Sequence, residues 1–133
     1  MHTSINSILL FLILFTKYAV CYAPGERFEL VAAIIANKLY FCAGVKTDFT
    51  PQNDLFYIDL NQQFDASDPP FQFQNNITST HDGSAVVHES KIVIFGGGLT
   101  NRIIIIDEPS GLSKIISSDN SSAWPSPRRF PTA

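Results

Sequence analysis

Two cysteines are all that the chain carries, and that scarcity excludes an internal disulfide framework as the device that holds it together. Cys21 falls at a candidate leader-cleavage point, so a mature chain keeps only Cys42. Set in an apolar run, Cys42 reads as a small buried hydrophobe. Positive charge is also thin. Nine Lys and Arg stand against twelve Asp and Glu, for a formal net charge of -3, and the basic residues gather only in pairs such as Arg128-Arg129. A nucleic-acid surface needs a basic patch, so nucleic acid is excluded as a partner. No apolar run reaches the ~20 residues that a membrane-crossing helix requires. The longest, Ile8 to Phe15, is followed by Thr16 and then by Lys17. Beyond that run there is no sustained 3.6-residue periodicity, so the body of the chain is not helical.

What is present points to strands. The 133 residues suffice for one small domain. A hydrophobic content of 45% with 16% charged residues separates the chain from disordered or fibrous compositions. Phenylalanine is used 11 times, which suits pleated surfaces better than solvated helices. The run Ile8–Phe15 has the length of a signal-peptide core, ~7–15 residues. Ala19 and Ala23 place cleavage after Cys21 or after Ala23, although the leading segment MHTSINS has neither Lys nor Arg. The expectation is a helical signal peptide over 1–23 and a secreted product, membrane-anchored if the leader is retained. Asn76-Ile77-Thr78 and Asn120-Ser121-Ser122 match the N-glycosylation acceptor and fit that route.

A repeat organises the remainder. Residues 32–44 fall on residues 85–97 when shifted by 53 (85 − 32), matching Ala32 with Ala85, Lys38 with Lys91 and Gly44 with Gly97. Each segment holds a short apolar strand, a polar break, a lysine, a β-prone run and one or two small residues. Physically this is a strand, a tight turn and an antiparallel partner, with Asn37 and Glu89-Ser90 as turn formers. Leu39–Cys42 and Ile92–Phe95 are apolar on both faces, as in strands covered from each side. Gly44, Gly96 and Gly97 end those runs where backbones must turn or approach closely. Further strands are predicted at Asp54–Leu60 and Arg102–Asp107, with Asp59 next to the end of one and Asp107 at the end of the other. Shorter ones are predicted at Phe71–Phe73 and Lys114–Ile116, with turns over Asp65–Pro70, Gln74–Thr80 and Ser117–Pro127. Units at 24–80 and 81–127 result, and residues 128–133 resemble the opening of a third.

The stretch from His81 to Gly97, with Trp124 ahead of Pro127-Arg128, resembles a kelch repeat, whose period is ~50 residues. In the first unit Tyr57 and Phe71 occupy aromatic positions of that pattern, while Ala43-Gly44 replaces the double glycine. The resemblance implies an all-β fold: two four-stranded antiparallel blades of a β-propeller that is incomplete, since rings close with ~4–8 blades. It implies a non-catalytic scaffold without a cofactor, binding a protein or a glycan, with exposed blade edges able to self-associate. The galactose-oxidase branch of the same superfamily implies the alternative, a copper oxidase with its catalytic residues in further blades. Its candidate ligands here are Tyr22, Tyr40, Tyr57, His81, His88 and Cys42. A third possibility is a small strand-rich secreted protein with no propeller.

Other constellations fall short of a site. Gly96-Gly97-Gly98 lacks the lysine of a phosphate-binding loop. His81 and His88 are seven apart, with no cluster of carboxylates or thiols expected about them, and read as a turn histidine and a half-exposed strand histidine. Asp65 and Asp68 lack the Gly and Glu of a calcium loop. Ser84 and Ser90 lack a nucleophile elbow. The sequence alone therefore assigns no catalytic, cofactor-binding or metal-binding residue.

Overall fold

The computed structural model describes residues 22–98, 102–108 and 110–117. The expected signal-peptide helix, Asn120, Trp124 and the expected opening of a third repeat lie outside them. The described chain is all-β. Strands β1 (Val31–Ile35), β2 (Lys38–Cys42), β3 (Asp54–Asp59) and β4 (Gln72–Asn76) form one antiparallel meander in that order. Strands β5 (Gly83–His88), β6 (Lys91–Gly96), β7 (Arg102–Asp107) and β8 (Leu112–Ser117) form a second. No helix among the described residues is long and apolar enough to cross a membrane.

Turn chemistry sets the register of each inner hairpin. Ala36 and Asn37 join β1 to β2 with φ of 49° and 58°, the double left-handed conformation of a two-residue hairpin that follows strand twist. Ile35 then faces Lys38. In the second sheet Glu89 takes φ 53° and His88 faces Lys91. The repeated lysine and the closing Asp prove to be cross-strand partners. Lys38 faces Asp59, Lys91 faces Asp107, and opposite charges so placed favour the pair.

The sheets stack face to face and share one core, with β1 lying against β5 and β6. Val31, Ile35, Tyr40, Cys42 and Leu55 of the first sheet meet Ile92, Ile94, Ile104 and Ile106 of the second. The isoleucines alternate along β6 and β7 because every second side chain points to the same face. The crossover from β4 to β5, residues 77–82, is drawn into this packing. Ile77 and Thr80 are buried, and the Gly44 amide donates to the Thr80 carbonyl at 3.0 Å.

Two expectations need correction. Gln74–Asn76, read as turn, belong to β4, because Asn75 and Asn76 pair with Leu55 and Asp54 across an irregularity at Leu55/Phe56. Pairing overrides the poor strand propensity of Asn. Coverage of the strands on both faces is also unequal: on the outward face of the second sheet, Val86 is 47% exposed and Ile116 37%.

Candidate functional site

Three polar constellations stand out against this framework. The first closes the outward face of the first sheet. Arg27 donates to Asp54 Oδ1 at 2.5 Å and to the Ala43 carbonyl at 3.3 Å, while the Tyr22 hydroxyl donates to the other oxygen of Asp54. Burial pushes the Asp54 carboxyl up, but the Arg27 and Tyr22 hydrogen bonds outweigh it and hold the group below its ordinary value. Burial, then the bond to Asp54, moves the Tyr22 hydroxyl upward. Arg27 also lies over the Phe56 ring, 5.2 Å from its centroid. Phe56 stacks on Phe41 and meets Phe71 and Tyr22 edge-on or tilted. Pro24, Arg27, Leu30, Phe41, Phe56 and Phe71 line a shallow groove of about 220 Å³ there.

The second ties the sheets together. Lys38 of β2 donates to Glu108, just past β7, at 2.9 Å, and the Tyr40 hydroxyl donates to the same oxygen at 3.3 Å. That bond moves the Lys38 ammonium above its ordinary value. Burial pushes the Tyr40 hydroxyl up to about 12. Lys38 Nζ is also 4.8 Å from the centre of the Tyr57 ring.

The third lies where the chain approaches the two inner strands. His81 Nδ1 is 3.2 Å from Glu29 Oε2 and 3.5 Å from Asp82 Oδ2. The separations are those of ion pairs, but the directions are not those of hydrogen bonds. His81 Nδ1 and both carboxylate oxygens of Asp82 are left buried without a hydrogen-bond partner. Glu29 and Asp82 are 53 residues apart, one repeat, and share a left-handed backbone with φ of 59° and 57°. The Asp82 amide donates to the Glu29 carbonyl at 3.3 Å. The expectation of no carboxylate cluster about His81 is thereby corrected: Asp82 is its neighbour, and Glu29 arrives from the other sheet. His81 precedes β5, and His88 ends it.

The expected glycines take their places around this cluster. Gly97, at φ 77°, packs so tightly that a Cβ there would stand 2.1 Å from the His81 carbonyl oxygen and 2.7 Å from the Gly83 amide. Gly96 pairs with Gly83 across β5 and β6. Gly44, the counterpart of Gly97 in the first sheet, is less confined: a Cβ there would stand 3.0 Å from the Phe28 carbonyl oxygen.

The remaining candidates are not brought together. Tyr40 and Tyr57 pack at 5.3 Å between ring centroids, but their hydroxyls bond to Glu108 and Gln72. His88 is exposed beside Glu89 at 4.0 Å. Cys42 is a buried free thiol whose desolvation pushes it up to about 12, which keeps it protonated and inert. Asp65 caps its own loop, accepting from the amide and the hydroxyl of Ser67 at 2.8 Å. The Asn76 acceptor is exposed at the end of β4.

No protein-family model matches the chain, and no curated protein does. Among solved structures it is similar in fold to YjhT, at 11% identity and a TM-score of 0.56, over 73% of this chain and 30% of that one. The chain thus spans less than a third of that structure's length, and the likeness is one of fold.

Proposed function

We propose that the chain is a secreted kelch-like propeller segment of two blades that acts as a non-catalytic scaffold for a protein or glycan partner. The observation that carries this reading is the pair of consecutive four-stranded meanders stacked face to face, with glycine packing recurring at the same point of each. A blade buries its faces only between neighbours, and the outward face of the second sheet has the character of one awaiting a neighbour. Val86, Val93 and Ile105 stand in register across it, with Phe95, Ile103 and Ile116 alongside. Either a further blade or self-association covers such a face. The leader ends at Cys21 in this reading, since cleavage after Ala23 would remove the Tyr22 hydroxyl that Asp54 accepts from.

Sequencing the transcript through and beyond codon 133 tests the architecture. Further Gly-Gly units at ~50-residue steps support it. A stop after Ala133 together with a cooperatively unfolding monomer would sink it. Mass spectrometry of the secreted product tests the non-catalytic part, because a Tyr–Cys thioether would make the protein an oxidase.

A further inference from the structure

Asp82 poses a problem that the protein's own atoms leave unsolved. Its side chain is 1% exposed, and neither carboxylate oxygen has a hydrogen-bond partner. Burying an unsatisfied carboxylate is among the most unfavourable arrangements in a protein interior unless a cation or a metal meets it. A protonated His81 does not resolve it. One Nδ1 proton cannot serve both Glu29 and Asp82, and as placed it is directed at neither.

We propose that Glu29, His81 and Asp82 form a binding site for a divalent cation of the Zn²⁺ class, seated between the two sheets. The donor atoms of the three residues lie within 4.8 Å of one another. Nitrogen and oxygen ligands at ~2.0–2.1 Å around a tetrahedral Zn²⁺ stand ~3.4 Å apart. The observed 3.2 Å and 3.5 Å from His81 Nδ1 bracket that separation. One imidazole with two carboxylates is a mixed set that favours zinc over the all-oxygen ligation of calcium or magnesium. The side chains of His81 and Glu29 are 24% and 26% exposed, which gives the ion a path from solvent and leaves a fourth position for water.

The backbone is built to hold these ligands. Glu29 and Asp82 occupy equivalent positions of the two repeats in the same left-handed conformation, and the hydrogen bond from Asp82 to Glu29 fixes one against the other. Gly97 presses on the carbonyl of His81, and a Cβ on Gly98 would come 3.5 Å from His81 Nε2. The glycine run therefore leaves room for the His81 backbone and ring to lie close beside it. The ion cross-links the segment before β1 to the segment before β5.

The test uses the full secreted chain, stripped with a chelator and titrated with Zn²⁺ by calorimetry, with thermal unfolding recorded before and after. The expected result is one Zn²⁺ per chain and a rise in Tm that scales with free metal. Co²⁺ in place of Zn²⁺ should give the visible bands of a tetrahedral nitrogen–oxygen site. Asp82→Asn and His81→Gln, each verified as folded by circular dichroism, should weaken binding at least ~10-fold. His88→Ala should leave it unchanged. If Asp82→Asn does not fold, the partly exposed His81 supplies the deciding variant. Absence of saturable Zn²⁺ binding by the folded wild-type chain overturns the proposal. So does binding that survives His81→Gln.

Discussion

The two sheets follow one backbone plan and finish it differently. In the first, the connections after β2 and β3 run over 43–53 and 60–71; in the second, the equivalent connections are only 97–101 and 108–111. The extra chain of the first sheet is used for cover. Phe71, at the end of one long connection, and Tyr22, from the segment ahead of β1, fold over Phe56, which is left 2% exposed. The second sheet has short turns and isoleucine-rich strands, and its outward face keeps Val86 and Ile116 at 47% and 37% exposure. The lesson is that a shared strand pattern specifies the face where sheets meet, while loop length decides whether the opposite face can be closed by the sheet's own chain.

Glycine packing gives the sharpest test of that asymmetry. Gly97→Ala places a methyl group against the backbone of His81 and Gly83 at 2.1–2.7 Å. It is expected to cost at least ~4 kcal/mol, enough to abolish cooperative unfolding in a calorimeter. The matching change Gly44→Ala meets its nearest backbone atom at 3.0 Å and should cost about 1–3 kcal/mol. Equal losses at the two positions would erase the distinction drawn between the inner hairpins.

Asp54 carries the next largest effect, confined to the first sheet. With Arg27 and Asp54 side chains 4% and 10% exposed, Asp54→Ala leaves a buried guanidinium unpaired. The expected loss is about 3–5 kcal/mol by chemical denaturation, with amide exchange rising in β3 and β4 before β7. Its acid dependence has a definite sign. The carboxyl is held below its ordinary value in the folded state, so its contribution is full above the unfolded value of ~3.9 and is lost as pH falls through the folded one. The stability gap between wild type and Asp54→Asn should be constant near neutrality and narrow below pH ~4.

Smaller changes probe the tie and the turns. Glu108→Gln removes the charged acceptor shared by Lys38 and Tyr40. A loss of about 1–2 kcal/mol is expected, with a smaller penalty in high salt. Ala36→Gly should stabilise by about 0.5–1 kcal/mol, since alanine is held at φ 49° where glycine is unstrained. The counterpart Glu89→Gly should gain less, because that hairpin has one left-handed residue where the first has two.

The strands themselves were legible. Five-residue apolar runs, lysines at a fixed spacing and terminal glycines marked β2, β3, β6 and β7, because period-two burial leaves its trace in composition. β4 showed only in its first residues, within the predicted Phe71–Phe73 strand; Gln74-Asn75-Asn76 reads as loop, and pairing with β3 makes it strand. The Arg27–Asp54 pair and the Glu29–His81–Asp82 cluster join residues 27 and 52–53 positions apart, and no local pattern records such meetings. A trace existed for the second. Shifting the chain by the same 53 residues sets Glu29 on Asp82, an acid on an acid, just ahead of the aligned strands. That correspondence lies immediately outside the window in which the repeat shows itself by hydrophobicity.

The buried crossover from β4 to β5 has a consequence for how the molecule can be cut. Two sheets joined by a loose linker invite a protease to part them. Here Ile77 and Thr80 are packed away and the Thr80 carbonyl is tied to Gly44, so the join offers little extended, accessible chain. An accessible substrate is the loop over 60–71, where Leu60 and Phe64 stand exposed. A nick in that loop divides the first sheet in sequence but not in space, since β4 stays paired to β3. The cleaved protein should migrate as two fragments under denaturing conditions and as one particle under native ones.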